Sequence, residues 1–343
     1  MEAFGFSDHD DVDISDFFED VEKKYKLVSL FAGIGGIDLG FEFAGFECIW
    51  ANDFDKFACQ TYRANVGDQI VEGDIRLTKN QIPAHDILVG GFPCQPFSTL
   101  GKLQGFEDEM NRGTLFFEIM DIITKHDTKV VVLENVKNLV NHDNGKTFAR
   151  IKQELDDAGY DVNAQILNSQ DYGIPQRRNR IFIVAFNRRY FKTGEFVYPD
   201  KEELKVTTQD LLDENVPEKY FLTKKLEKTI LGMGTKGYMV KPTIDLPISK
   251  TLTATMHKMH RASQDNYVTD YKNYNRNVLE KEKRIAVRKL TPNECRQLQG
   301  FPSEWVQVVS DCQAYKQFGN AVTVDVAYKV ACQVMKYIEE NKK

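Results

Sequence analysis

The sequence predicts an α/β protein: a doubly wound, mostly parallel sheet with a smaller, irregular second domain. Three observations predict it. Short apolar runs alternate with helical patterns from Lys26 to Phe186, the rhythm of strand–helix–strand units whose strands lie parallel. A glycine-rich turn, Ala32-Gly-Ile-Gly-Gly36, joins the first strand to the first helix. After Phe186 the rhythm breaks, and residues 187–288 show irregular spacing with many Lys, Thr, Asn and Tyr. That stretch reads as the second domain.

The elements follow in order. Lys26-Leu-Val-Ser-Leu-Phe31 is a first strand, and Ile37 to Ala44 starts a helix after the glycine turn. Cys48-Ile-Trp-Ala51 is a second strand, followed by a helical pattern from Lys56 to Ala64. The apolar run Asp86-Ile-Leu-Val-Gly90 reads as a buried parallel strand. Leu115 to Lys125 is helical, and Lys129-Val-Val-Val-Leu133 is the strongest strand in the chain. Gly145 to Ala158 is an amphipathic helix closed by Gly159. Ala164 to Leu167 and Arg180 to Phe186 are further strands. Helical patterning returns at Thr291 to Gln299 and from Val322 onward.

Composition sets the class. The chain has 343 residues, enough for two domains, with 42% hydrophobic and 28% charged residues, as in ordinary globular proteins. No apolar run reaches membrane-spanning length and no signal-peptide pattern opens the chain, so a cytoplasmic protein is expected. Six cysteines (Cys48, Cys59, Cys94, Cys295, Cys312, Cys332) are scattered without a CxxC pair. This argues against a zinc site and against a disulfide framework. The net charge of −6 is unevenly spread. Residues 1–20 carry eight acids (Glu2, Asp8, Asp10, Asp11, Asp13, Asp16, Glu19, Asp20) and no Lys or Arg. Residues 1–25 therefore read as an acidic, flexible leader. Residues 221–290 hold fifteen Lys or Arg against six acids, either the footprint of a phosphate-binding surface or a solvated lysine-rich face.

The stretch Gly91-Phe-Pro-Cys-Gln-Pro-Phe97 is the most informative. It places Cys94 at the carboxyl end of a buried strand, where open α/β sheets transform their ligands. A free cysteine is more often a buried small hydrophobe, and the rest of the chain decides between the readings. The glycine turn lets backbone approach a ligand and offers N–H groups to an anion. It is not the dinucleotide pattern, which needs glycine at position 38, where Asp38 stands and would repel a pyrophosphate. Asp53 ends the second strand, suited to ribose hydroxyls, and Phe54 beside it suits purine stacking. Asp74, in Gly73-Asp-Ile75, suits an exocyclic amine. Either acid could equally be a loop or cap residue. Together the three strand ends describe S-adenosylmethionine. Glu134 follows the strongest strand, where desolvation suits a carboxyl to proton donation; the alternative is a structural carboxylate paired with an arginine. Strand alternation from Gln176-Arg-Arg-Asn-Arg180 puts Arg178 and Arg180 on one face, able to bind phosphates or polar base edges.

The order Phe-Ala-Gly-x-Gly-Gly, Gly-Phe-Pro-Cys-Gln-Pro-Phe-Ser, Glu-Asn-Val and Gln-x-Arg-x-Arg resembles the DNA (cytosine-5) methyltransferase family. Arg288-Lys-Leu-Thr-Pro-Asn-Glu-Cys-Arg-Gln-Leu-Gln-Gly-Phe-Pro302 is similar to its ninth motif and Gln317-Phe-Gly-Asn-Ala-Val322 to its tenth. The layout resembles the short bacterial enzymes of restriction–modification systems. The resemblance implies a Rossmann-like, S-adenosylmethionine-dependent fold. The catalytic and cofactor-binding domain would span 26–189 plus 305–343, with target recognition and hinge at 190–304. It implies Cys94, Glu134, Arg178 and Arg180 as the catalytic set, with Cys94 attacking carbon-6 of a flipped-out cytosine. It implies a cofactor site of Phe31, Gly33, Gly36, Asp53, Phe54, Asp74, Ile75, Pro93, Leu115 and Asn320. DNA contacts would come from Gln95, Ser98 and Thr251, the last in Lys250-Thr-Leu-Thr253, which resembles a short element of such recognition domains. Ser98 to Gly105 would form a lid. Double-stranded DNA is the implied partner, no metal is expected, and a monomer is the simplest state. A cognate restriction endonuclease acting independently stays open.

Three other readings stand against this one. An RNA cytosine methyltransferase is disfavoured by the basic insert of roughly a hundred residues, long for a mere loop. A silent DNA-binding module needs no nucleophile. A nicotinamide-dependent oxidoreductase is weakened by Asp38.

Overall fold

A computed structural model describes residues 23–92, 115–235, 238–274 and 284–343. The acidic leader before Lys23, Pro93, Cys94, Gln95, Ser98 and the lid segment lie outside the described residues. The chain divides into two compact units.

The first unit comprises residues 23–168, 179–201 and 324–343 and is built on a seven-stranded sheet. Its strands are β1 (Tyr25–Leu30), β2 (Phe46–Asp53), β3 (Ile70–Glu72), β4 (Ile87–Gly91), β5 (Val130–Val136), β6 (Tyr160–Asn168) and β7 (Asn179–Asn187). They run in the order β3-β2-β1-β4-β5-β7-β6. The first five pair in parallel, while β7 lies antiparallel to both β5 and β6. The expected doubly wound, mostly parallel sheet is borne out. Strand order reverses between β1 and β4, so the carboxyl ends of β1, β2, β4 and β5 open one crevice, the position where such sheets bind ligands.

The helices of this unit include α1 (Gly36–Phe43), α2 (Lys56–Asn65), α3 (Leu115–Lys125), α4 (Lys146–Asp157) and α5 (Val324–Asn341). Strand burial explains the sequence pattern. Ile87, Leu88, Val89 and Val130 to Leu133 are all fully buried, because a parallel strand covered on both faces needs apolar residues at every position rather than every second one. The helices are anchored by local chemistry: Asp55 caps α2 by accepting the N–H of Phe57 and Ala58, as expected of an N-cap aspartate. Helix α1 meets α5 at Gly40, where an added Cβ would lie 2.6 Å from both Ala327 Cβ and the Tyr328 amide nitrogen.

The second unit comprises Ser169–Arg178 and Glu202–Thr323. It contains a three-stranded antiparallel sheet in which Arg284–Lys289 lies between Tyr267–Thr269 and Phe221–Thr223, over a small core of Leu222, Ile230, Ala262 and Tyr267. Arg288 is fully buried and donates to Asp270 (2.7 Å) and to both oxygens of Glu294 (2.7 and 2.8 Å). Glu294 also closes the capping box of the helix Pro292–Gln297 with Thr291.

These units divide the chain at other points than the sequence suggests. Residues 169–178 belong with the second unit because Gln176–Arg177 pairs in parallel with Ser249–Lys250 and Arg178 bonds the carbonyls of Leu252, Gly319 and Ala321. The helix Asp311–Asn320 belongs there too, since Gly319 packs directly on the Thr253–Ala254 peptide. Residues 190–201 stay with the sheet: Phe191 and Phe196 surround Phe186, and the Tyr198 hydroxyl donates to the Phe182 carbonyl at 2.9 Å. Among the described residues no helix is long and apolar enough to cross a membrane.

Because backbone at Tyr328 blocks a side chain at position 40, Gly40→Ala forces α1 and α5 apart. Overpacking of this kind costs about 1–3 kcal/mol. Thermal or chemical denaturation should register that loss, and an unchanged midpoint would remove the helix contact from the stability of the unit.

Candidate active site

The crevice is assembled from strand ends. β1 runs into Phe31, which adopts φ 55°, and Gly33 follows with φ 60°. A Cβ at Gly33 would meet nothing within 4 Å, so the turn combines a conformation that favours glycine with open space beside its backbone. Gly35 (φ 89°) precedes α1, and Gly36 is the first helical residue. The Gly33 N–H donates to Asp53 Oδ2 at 2.8 Å, and the Asp55 N–H donates to Asp53 Oδ1 at 2.8 Å. Asp53 thus ties the glycine turn to the exit of β2. Burial pushes its pKa up, against the pull of those N–H groups. Phe54, the next residue, is 76% exposed, an aromatic ring left in the open beside a desolvated carboxylate.

Two asparagines that the sequence reading left without a role pin the neighbouring loops. Asn52, 1% exposed, donates to the carbonyls of Val71 and Gly73 at 2.9 Å each. Asn135 donates to the Phe92 carbonyl at 2.8 Å and accepts the Val136 N–H at 2.8 Å. Phe92 directly precedes Pro93 and Cys94, so Asn135 fixes the point from which the cysteine loop departs. The available signal was an amide at the end of a buried strand, where unpaired main-chain groups accumulate.

Glu134 and Arg180 form an ion pair, with Arg180 Nε 2.9 Å from Glu134 Oε1 and both side chains largely buried. The strand register makes the pair. Val136 lies opposite Arg180 and Glu134 opposite Phe182, so Glu134 and Arg180 are diagonal neighbours on one face. Gly91 of β4 leaves room for the carboxylate: a Cβ there would stand 3.3 Å from Glu134 Oε2. Burial lowers the Arg180 pKa, while the charge of Glu134 raises it.

Other residues singled out in the sequence fare differently. Arg178 is 1% exposed and uses its guanidinium on the Leu252 (2.9 Å), Gly319 (3.0 Å) and Ala321 (2.6 Å) carbonyls. Strand β7 begins only at Asn179, so the alternation that grouped Arg178 with Arg180 does not extend to it, and Arg178 serves as a clamp on main-chain oxygens. Asp74 caps the helical turn Ile75–Thr78 and is gripped by the Arg76 guanidinium, which holds its pKa below the usual carboxylate range. Ile75 is 2% exposed and belongs to the core, with Leu115 and Phe31 packed against the same cluster. Thr251 donates to the Arg177 carbonyl. Asn320 is exposed at the end of its helix. Among the described residues no three His, Cys, Asp or Glu side chains group as metal ligands.

Asp38 does not present its charge to a ligand. It is fully buried, accepting from Ser29 (2.6 Å) and Tyr62 (2.7 Å) with the Cys48 thiol nearby. It braces β1, α1 and α2 from within. Repulsion of a pyrophosphate is therefore not the reason this turn departs from the dinucleotide pattern.

A doubly wound, mostly parallel sheet that gathers a glycine turn, an acid at the second strand end and a charged pair beside the fourth strand's exit has the arrangement in which enzymes of this class bind and transform ligands at strand ends. The chain belongs to the C-5 cytosine-specific DNA methylase family, whose model matches residues 25–336, and it is a DNA cytosine-5 methyltransferase. It is 41% identical over 321 residues to the Type II methyltransferase M.HpaII of Haemophilus parainfluenzae, covering 89% of this chain and 87% of that one. Identity with the Type II methyltransferase M1.ScrFI of Lactococcus lactis subsp. cremoris is 39% over 323 residues, 93% of this chain and 80% of the other. In fold it is similar to the Dnmt2 methyltransferase of S. pombe, with a TM-score of 0.71 at 20% identity over 91% of this chain and 99% of that one.

Two predictions follow from the buried charges. Burial raises the Asp38 pKa from 3.8 to about 6. A carboxyl with a raised native pKa favours the folded state at low pH, and that advantage is lost as pH rises from about 4 through about 6. At 1.36 kcal/mol per pH unit the cost reaches about 3 kcal/mol by pH 7. Asp38→Asn should flatten the stability profile across this window in urea titrations at stepped pH; an unchanged slope would show that Asp38 is ionised throughout. Glu134→Gln leaves Arg180 buried without its counter-charge and should cost about 3 kcal/mol. Glu134→Gln/Arg180→Met should recover part of that loss in the same titration, and additive losses would mean that the pair is not coupled.

Proposed function

We propose that this protein methylates carbon-5 of a cytosine flipped out of duplex DNA at a short specific sequence, as the modification half of a restriction–modification system. The observation that carries the reading is the Glu134–Arg180 pair beside a strand exit, Phe92, that Asn135 holds two residues before Cys94. The restriction–modification context rests on likeness to Type II methyltransferases.

Cytosine carbon-5 is a poor nucleophile. Cys94 attacks carbon-6 as the thiolate, and the ring gains electron density at carbon-5. Covalent addition thereby splits one hard step into easier ones. Glu134, protonated as the base enters, gives its proton to ring N3 and accepts from the exocyclic amine, neutralising the negative charge that develops in the ring, and Arg180 holds O2. After carbon-5 takes the methyl group, leaving the donor as its thioether, a water molecule accepts the carbon-5 proton and the electron pair expels Cys94 as thiolate, restoring the ring. A cation near the thiol favours the thiolate, a role for Arg180. Carbon-6 is unreachable in a stacked base, so the nucleotide must leave the helix, at a cost of about a few kcal/mol.

S-adenosylmethionine supplies the electrophilic methyl group. The crevice fits such a molecule: open space flanks the Gly33 backbone, and an exposed Phe54 ring adjoins Asp53. Phe31, Gly33, Gly36, Asp53, Phe54, Asp74, Ile75, Pro93, Leu115 and Asn320 are the proposed cofactor residues. Asp74 contributes less than the sequence reading expects, since Arg76 already holds it, and Ile75 offers mainly its backbone. The second unit is the proposed DNA reader. It carries the basic stretch 221–290 and Thr251, with Gln95 and Ser98 as contacts from the cysteine loop. Arg178 acts there as scaffold. The protein acts as a monomer on cytoplasmic DNA.

Bisulfite sequencing of plasmid and host DNA from cells expressing the protein tests this directly, beside a Cys94→Ser control. Protected cytosines should recur within one short sequence and vanish in the control. Protection that survives Cys94→Ser removes the nucleophile, and its absence from the wild type removes the DNA substrate.

A further inference from the structure

The edge of the sheet opposite the crevice carries a second concavity. A cavity of about 160 Å³ opens at the amino ends of β1, β4 and β5, where Tyr25, Ile87 and Val130 begin their strands. Its aromatic walls are Tyr25, Tyr190 and Phe191, and its cations are Lys129, Arg189, Lys342 and Lys343. Lys342 lies over the Tyr25 ring at 5.9 Å, and Lys129 over the Tyr190 ring at 5.6 Å. Asp86 pairs with Lys129 at 2.6 Å, and Asp127 is bonded by both Arg189 and Tyr190. Four cations against two carboxylates leave the mouth positive, and nothing in the cytosine chemistry uses it.

A site of aromatic walls and surplus cations selects a ligand that carries both rings and negative charge. The chain supplies one. Residues 1–22 contain nine acids, no Lys or Arg, and the aromatic residues Phe4, Phe6, Phe17 and Phe18. They lead directly into Tyr25, itself a wall of the cavity. Phe18 lies seven positions before Tyr25, a reach of up to about 24 Å.

We propose that the acidic leader docks on this cavity, with a phenylalanine between the aromatic walls and its carboxylates against Arg189, Lys342 and Lys343. Docking keeps a strongly acidic segment at the amino edge of the sheet.

The test is photo-cross-linking in the intact chain, with Phe18→p-benzoylphenylalanine and, separately, Phe17→p-benzoylphenylalanine, mapped by mass spectrometry. The expected attachment points lie within 189–191 and 338–343. The yield should fall about five-fold in 1 M NaCl, where the screening length shrinks to about 3 Å, and similarly in Lys342→Glu/Lys343→Glu. The salt titration uses the otherwise unaltered chain and stands even where the charge-reversed variant folds poorly. Cross-links mainly to residues 221–290, cross-links between two chains, or a yield indifferent to salt and charge reversal would each overturn the proposal.

Discussion

The constraint on which the site depends is the pairing of main-chain groups where buried parallel strands end. Inside the sheet each N–H and C=O is satisfied by its neighbour strand. At and past the last ladder residues the backbone is only partly covered, and a main-chain group left unpaired where it is buried costs about 1–3 kcal/mol. The chain meets this with short side chains at the strand ends. Asn52 takes the Val71 and Gly73 carbonyls, Asp53 takes the Gly33 and Asp55 N–H groups, and Asn135 takes the Phe92 carbonyl. Each bond satisfies a stranded group and at the same time fixes the loop that belongs to it. The positions of the glycine turn, the Asp74 turn and the Phe92 strand exit are therefore by-products of closing the sheet.

Two arginines two residues apart show how strongly context decides a side chain's work. Arg178 and Arg180 carry the same charge and the same fork of donors. Arg180 sits on β7, where the antiparallel register with β5 brings it diagonal to Glu134. Arg178 lies before the strand begins, and three carbonyls of the second unit take up its guanidinium. A guanidinium bonded to neutral carbonyls stays a buried cation, and through it Leu252 is held at one point with Gly319 and Ala321, some seventy residues further along the chain. Arg180 by contrast faces a carboxylate, and burial and Coulomb attraction act on it in opposite directions.

The parts of this architecture that read well from sequence are those with dense signals. β1, β4 and β5 are continuous apolar runs because both of their faces are covered. β3 spans only Ile70–Glu72 and does not rise above loop composition, while β6 runs over Tyr160–Asn168 and only its Ala164 to Leu167 part was legible, because Asp161 and Asn163 break up its first half. The helix Asp311–Asn320 escaped because its apolar residues are few and its start depends on the Ser310 cap. Glu134, Arg180, Asp53 and Phe54 drew attention in the sequence because polar or aromatic groups at strand ends stand out against apolar runs, and the structure places Glu134 against Arg180 and Asp53 beside the glycine turn. Asp38 was misread for a tertiary reason. Its partners Ser29, Cys48 and Tyr62 come from three other elements, and no local pattern announces that a helix-start aspartate turns inward. Gly40 carried no signal either, because the need for glycine arises only from the approach of Ala327 and Tyr328, nearly three hundred residues along the chain.

That approach of α5 to α1 also explains how the crevice stays intact. Helix α1 starts at the glycine turn, so any displacement of α1 moves Gly33 and the Asp53 contact with it. Gly40 brings the helix backbones into direct contact, a packing that leaves no compressible side chain between them. On the opposite face of the same helix, Asp38 reaches Ser29 of β1 and Tyr62 of α2. The glycine turn is thus held from three sides: by Asp53 ahead of it, by Asp38 within the core, and by α5 behind. A turn whose conformation favours glycine at Gly33 and Gly35 is intrinsically loose, and its rigidity here is supplied by those outside contacts. The desolvated charge of Asp38 is a cost in stability accepted at a point where it helps fix the glycine turn.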